Sequence, residues 1–194
     1  MKRSATLIAA AAAALVATLV HASASVGQAA PEFKLKDTAG KEQSLAAYKG
    51  KFVVLEWVNP DCPFVKKHYD SSNMQATQKA AEAQGAVWLS VSTNGKNGSD
   101  LAAWVKEKGA VPTATLLDDG KVGKAYGART TPHMYVINPE GKLVYAGAID
   151  SKSTANPADI KGATNYVTAA LSEATAGKPV SKATTEPYGC SVKY

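Results

Sequence analysis

Residues 52–64 read Phe52-Val53-Val54-Leu55-Glu56-Trp57-Val58-Asn59-Pro60-Asp61-Cys62-Pro63-Phe64. The first seven form a nearly unbroken apolar, β-branched and aromatic run. A run without alternation predicts a strand buried on both faces of a sheet. Asn59-Pro60-Asp61 ends the strand with turn chemistry, and Pro63 suits the first position of a helix, where a missing N–H costs nothing and the fixed φ fits. The pattern stays helical from residue 64 to about residue 84, with Gly85 as a stop signal. Cys62 therefore caps a helix directly after a core strand. Unsatisfied backbone N–H groups and the positive end of the helix dipole favour its thiolate, the reactive form. Lys66, one turn on, adds positive charge to that face, whereas the neighbouring Asp61 carboxylate opposes a second negative charge. The competing reading of Cys62 is a buried, inert cysteine.

Outward from this junction the elements alternate. Upstream, residues 25–31 read as a flexible leader, residues 33–36 as a short edge strand, and residues 37–40 as a turn. Downstream, residues 86–91 form a second central strand. Ser99 or Asp100 caps a helix carrying Leu101, Trp104 and Val105 that Gly109 ends. Residues 113–117 are extended, and residues 122–126 make a helical turn. A strand over 134–137, a tight turn at 138–141 and a strand over 143–146 form a hairpin. A final helix over 163–174 spaces Tyr166, Val167, Ala170 and Leu171 for one buried face. This order specifies an α/β layered domain with parallel strands joined by helices and an antiparallel pair at one edge. Residues 176–194 read as an extended tail on the surface.

The N-terminus carries targeting chemistry. Lys2 and Arg3 precede the uncharged, alanine-rich stretch 7–20, and Ala22 and Ala24 occupy the two small positions of a cleavage site, so residues 1–24 read as a signal peptide. The alternative is an uncleaved anchor, but the stretch is short for a span and no stop-transfer charges follow, so no stable membrane span is expected after cleavage. Residues 25–175 then form one domain, followed by the tail 176–194 carrying Cys190. Export to the periplasm or medium places both thiols in an oxidising compartment. The formal net charge of +6 includes Lys2 and Arg3, and the remaining lysines are dispersed without stacking aromatics, which argues against nucleic-acid binding.

The chain has two cysteines and three histidines. His21 falls in the signal. His68 lies too far along the helix from Cys62 for direct contact and reads as a surface or packing residue, and His133 opens a strand after Thr131-Pro132. The histidines share no metal-ligand spacing, and no metal or other cofactor is expected.

Trp57 to Phe64 after an apolar strand resembles the active-site loop of the thioredoxin superfamily. Thr131-Pro132 resembles its cis-proline element, and the hairpin and closing helix extend the likeness over residues 30–175. Cys62-Pro63-Phe64-Val65 is similar to the redoxin branch, the peroxiredoxin-like group related to alkyl hydroperoxide reductases. Pro187-Tyr188-Gly189-Cys190-Ser191-Val192-Lys193-Tyr194 resembles that group's tail. The resemblance implies a thioredoxin-like fold: a central mixed sheet flanked by helices, with an N-terminal β extension and the C-terminal tail. It also implies thiol-dependent reduction of a peroxide or protein disulfide, drawing electrons from an unknown thiol reductant. Cys62 is the attacking group, Cys190 the resolving one, Thr131 and Pro132 shape the substrate groove, and Arg129 adds positive charge.

Two departures matter. Val65 stands where a Cys-x-x-Cys motif has its second thiol. Leu55 and Asn59 stand where peroxiredoxins carry proline and threonine upstream of the reactive cysteine. Cys62 and Cys190 are thus open to three readings: a redox pair, a static bridge worth about 4–5 kcal/mol in a chain-entropy model, or two unpaired thiols. The rival function is a non-enzymatic exported module that binds a protein partner or a metal ion through the same fold.

Overall fold

The computed structural model describes residues 23–93 and 97–194. The charged start, the apolar stretch 7–20, Ala22 and His21 lie outside the described residues. Ser23 and Ala24 are the first described, and the Ala24 N–H donates to the Ala125 carbonyl at 3.0 Å.

A seven-stranded sheet forms the centre. Its strands are β1 (Lys34–Asp37), β2 (Glu42–Ser44), β3 (Val53–Trp57), β4 (Val87–Ser92), β5 (Ala114–Leu117), β7 (His133–Ile137) and β8 (Leu143–Gly147), in the spatial order β2-β1-β5-β4-β3-β7-β8. Strands β3, β4 and β5 are mutually parallel, and β7 runs antiparallel to both β3 and β8. A separate two-stranded ladder joins β6 (Thr130–Thr131) to β9 (Cys190–Ser191).

Every residue of β3, β4 and β7 is buried, because both faces of the sheet are covered. Side chains alternate across the sheet. Val53, Leu55 and Trp57 join Leu89, Leu116, Tyr126 and Tyr135 on one face. Val54 and Val58 join Cys62, Val65, Tyr69, Met74, Trp88 and Met134 on the other. The second face is roofed by α1 (Pro63–Asp70), α2 (Asn73–Ala83) and α5 (Tyr166–Thr175). Helices α3 (Gly98–Glu107) and α4 (Lys121–Tyr126) follow β4 and β5.

Several expectations are corrected. The long helix after Cys62 is two helices, broken where Ser72 takes a left-handed conformation, φ 60°. There the Ser71 hydroxyl donates to the Lys67 carbonyl at 2.6 Å, competing with the helical ladder. The cap of α3 is Asn97, whose side chain accepts the Asp100 N–H at 2.8 Å. β2 rather than β1 is the outer strand, since β1 also pairs with β5. Residues 25–31 are pinned to the hairpin, with Gly27 N–H to Leu143 O at 2.8 Å and Ala30 N–H to Gly141 O at 2.9 Å.

The tail does more than lie on the surface. Residues 183–185 run alongside β8, with Ala146 N–H donating to Ala183 O and Thr185 N–H to Ala146 O, which covers a sheet edge. The tail then crosses to the Cys62 end of the molecule as β9.

Candidate functional site

The junction between β3 and α1 is a tight turn. Asn59 supplies both acceptors: its carbonyl takes the Cys62 N–H and its Oδ1 the Asp61 N–H, each at 3.0 Å. Cys62 is the cap, with φ −74° and ψ 124°, and Pro63 is the first helical residue. The Cys62 carbonyl starts the helix by accepting the Lys66 N–H at 2.9 Å. Its side chain is 1% exposed.

Two chain segments close over the sulfur. The Thr131-Pro132 peptide is cis, and the Thr131 carbonyl accepts from Cys62 Sγ at 3.0 Å. From the tail, the Cys190 N–H donates to the same sulfur at 3.4 Å. The β6–β9 ladder sets this approach by placing Thr131 opposite Cys190, and Val192 N–H to Arg129 O at 3.0 Å extends it. Gly189 lets the tail come this close: a Cβ there would stand 2.0 Å from Thr131 O. Both cysteines are free thiols.

The two sulfurs differ in acidity. Burial, the largest influence on Cys62, pushes its pKa up, but hydrogen bonds from the side chains of Cys190 and Thr131 and from backbone N–H groups overcome it and leave the thiol more acidic than usual. Among those groups is the Val65 N–H, one of the unpaired donors at the start of α1, although the thiol makes no cap hydrogen bond. Cys190 moves the opposite way, pushed up to about 11 by burial and by the neighbouring Cys62 sulfur. Of the two thiols, Cys62 at the helix end is therefore the easier to ionise.

The other predicted residues have definite places. Pro132 is buried beside Thr131. Arg129 holds the tail twice, by its carbonyl and by a guanidinium contact to Glu186 at 2.9 Å. Lys66 is exposed. His133 is buried, its Nδ1 meeting the Arg129 N–H at 3.2 Å and the Tyr135 hydroxyl at 3.0 Å.

Two features were missed. Glu56 is buried in β3, and its carboxyl oxygens accept from Tyr69, Trp88 Nε1 and Ser90 at 2.8–2.9 Å; burial raises its pKa. Its signal was one acid inside an apolar run. The second is a buried polar cluster around Tyr188, made by Lys67, His68 and Asp150. Among the described residues, no group of three or more His, Cys, Asp or Glu side chains is arranged to hold a metal ion, and no helix is long and apolar enough to cross a membrane.

Comparison with known proteins agrees with this architecture. The family model described as AhpC/TSA matches residues 26–146. Thiol-disulfide oxidoreductase ResA of Bacillus subtilis (strain 168) is 34% identical over 122 residues, covering 63% of this chain; the chain spans 66% of that protein's length. A hypothetical protein of Sinorhizobium meliloti 1021 superposes with a TM-score of 0.73 at 25% identity, covering 89% of this chain and 96% of its own. The thioredoxin domain of a thiol-disulfide oxidoreductase from Bacteroides vulgatus gives a TM-score of 0.56 at 26% identity, covering 64% of this chain and 89% of its own. The family match ends at residue 146 and so includes Cys62 but neither Tyr188 nor Cys190.

Proposed function

The chain belongs to the AhpC/TSA family, within the thioredoxin superfamily, and from that premise we propose that it is an exported thiol–disulfide oxidoreductase whose redox pair is Cys62 and Cys190. The observation that carries this reading is the tail N–H of Cys190 meeting the Cys62 sulfur at 3.4 Å, with the two thiols displaced in opposite directions from ordinary acidity.

The chemistry follows from that asymmetry. The Cys62 thiolate attacks one sulfur of a substrate disulfide, forming a mixed disulfide and expelling the other sulfur as a thiolate. Cys190 then loses its proton to solvent and attacks Cys62 Sγ, releasing the second substrate thiol and leaving a Cys62–Cys190 disulfide. Two electrons pass from the protein dithiol to the substrate, and an external thiol reductant restores the pair. Export is supported by the reading of residues 1–24 and places the pair among disulfide-bearing proteins.

A second reading, hydroperoxide reduction through a Cys62 sulfenic acid, is favoured by the near-complete burial of Cys62, which a small oxidant reaches more easily than a protein disulfide. Asn59 and Leu55 weigh against it. With the reduced protein and insulin as the disulfide, Cys62→Ser is expected to lose at least 99% of turnover, and Cys190→Ser to stop at a mixed disulfide on Cys62 that mass spectrometry detects. Full turnover by Cys62→Ser rejects the mechanism. Turnover of hydrogen peroxide but not of insulin moves the assignment to the second reading.

A further inference from the structure

One further residue of the tail is held close to the Cys62 helix. Tyr188, two positions upstream of Cys190, turns its side chain under α1, the helix that Cys62 caps. Its ring packs edge-on against Phe64, with centroids 5.9 Å apart. Its hydroxyl reaches a buried polar cluster that Lys67 and His68 of the same helix form with Asp150. The Asn73 side-chain amide donates to His68 Nδ1 at 2.8 Å, which leaves the proton on Nε2. His68 Nε2 then donates to the Tyr188 oxygen at 3.1 Å. Lys67 Nζ lies 3.5 Å from that oxygen and donates to the Lys152 carbonyl at 2.7 Å. The Tyr188 hydroxyl in turn donates to Asp150 Oδ1. Asp150 Oδ2 accepts no hydrogen bond among the described residues and faces the Lys67 ammonium at 3.6 Å. Lys67, His68 and Asp150 are all buried.

A buried charge pair with a histidine is costly to build unless every group is satisfied, and here the tail supplies the central hydroxyl. β9 has only two residues, and the Arg129 contacts and the strip along β8 lie on either side of the Cys190 position rather than under it. Attack of Cys190 on Cys62 needs the sulfurs held in line, and that positioning is lost if the tail swings.

We propose that Tyr188 is a positioning residue for the second chemical step: anchored by His68 and Lys67 of α1 and by Asp150, which follows β8, it sets the effective concentration of Cys190 at Cys62. The inference rests on the redox-pair reading above. Because two of the three latch residues, Lys67 and His68, lie on the helix that Cys62 caps, tail position is referenced to the sulfur it must attack. Removing the hydroxyl slows resolution without touching the first attack.

An aryl disulfide, 5,5′-dithiobis(2-nitrobenzoate), separates the two steps. Cys62 releases one aryl thiolate on forming the mixed disulfide, and Cys190 releases the second on closing the internal disulfide. The wild type is expected to release two per chain and Cys190→Ser one. In Tyr188→Phe, which keeps the ring on Phe64, the first release should stay within about twofold and the second should slow at least tenfold. The Cys62–Cys190 disulfide should also become at least tenfold less favoured against glutathione, about 30 mV for a two-electron couple. His68→Leu, which removes the Nε2 donor from the helix side, should move both readouts in the same direction and answers the question if Tyr188→Phe fails to fold. A folded variant with wild-type second-phase rate and glutathione equilibrium overturns the role of Tyr188 and leaves the pair intact. A wild type that closes no internal disulfide overturns the redox pair and the latch together.

Discussion

At the residue scale, Cys62 and Cys190 share one environment yet carry their protons differently. Burial disfavours both thiolates, but the donors around Cys62 outweigh its burial, whereas those near Cys190 do not. In the reduced protein, iodoacetamide labelling of Cys62 should therefore show a midpoint below the free-thiol value of about 8.5, while that of Cys190 should lie near 11. Removing the Cys190 side chain takes away the strongest of those donors, so in Cys190→Ala the Cys62 midpoint should rise. An unchanged midpoint would mean that the helix end alone sets its acidity. Cys62 was legible in the sequence because a strand, a turn and Pro63 are local signals. Its partner was not positioned there, since 128 residues separate Cys190 from it and no local pattern spans that distance. The helix phase was legible only in part. Lys66 was assigned to the sulfur's face, but the structure exposes Lys66 and buries Lys67, because Asp150 and the Lys152 carbonyl, more than eighty residues away, offer Lys67 its partners.

At the scale of elements, the shortest strand governs the site. β9 reaches β6 because Gly189 sits at φ 139° with its Cα against the Thr131 carbonyl. A side chain there is both sterically blocked and conformationally strained, and the obstacle is backbone, which cannot rotate away. Gly189→Ala should detach β9 while leaving the seven-stranded sheet intact. The expected signs are loss of hydrogen-exchange protection at the Val192 amide, which bonds to Arg129 O, and at least tenfold slower internal disulfide formation. Thermal stability should fall far less than for Leu89→Ala, a core truncation of the class that costs about 2–5 kcal/mol. Retained protection at Val192 would show that the tail is held without this approach. The central strands were readable from unbroken apolar runs, as β3 and β4 confirm. The break between α1 and α2 was not, because apolar spacing continues across Ser71 and Ser72 while the backbone reverses at Ser72. Two-residue strands such as β6 and β9 carry no periodicity at all, and their pairing exists only in the folded chain.

At the scale of the whole molecule, protonation and folding are linked through groups buried on both faces of the sheet. His68 is pushed down to about 4, first by burial and then by Lys67, with Asp150 opposing. His133 is pushed down to about 3, first by burial and then by Arg129. In the unfolded chain both take up a proton near pH 6.5. Between that pH and the folded values the unfolded state binds more protons, so lowering the pH favours unfolding. The contribution of the neutral histidines is complete above pH 6.5 and is lost as the pH falls toward 4 and 3, on the order of 3 to 5 kcal/mol for each. Glu56 acts in the opposite sense. Its raised pKa means that the folded state holds a proton which the unfolded chain releases, so its contribution declines as the pH rises above the ordinary carboxylate range. The two effects overlap and partly cancel, which makes a difference between variants more telling than one profile. The wild-type melting temperature should fall between pH 7 and pH 4. His68→Gln, starting lower, should fall by less over the same interval, because one buried group that resists protonation is gone. Protonating His68 Nδ1 displaces the Asn73 amide that donates to it, which is why coupling is expected; parallel melting curves for the two proteins would show that His68 does not couple folding to pH.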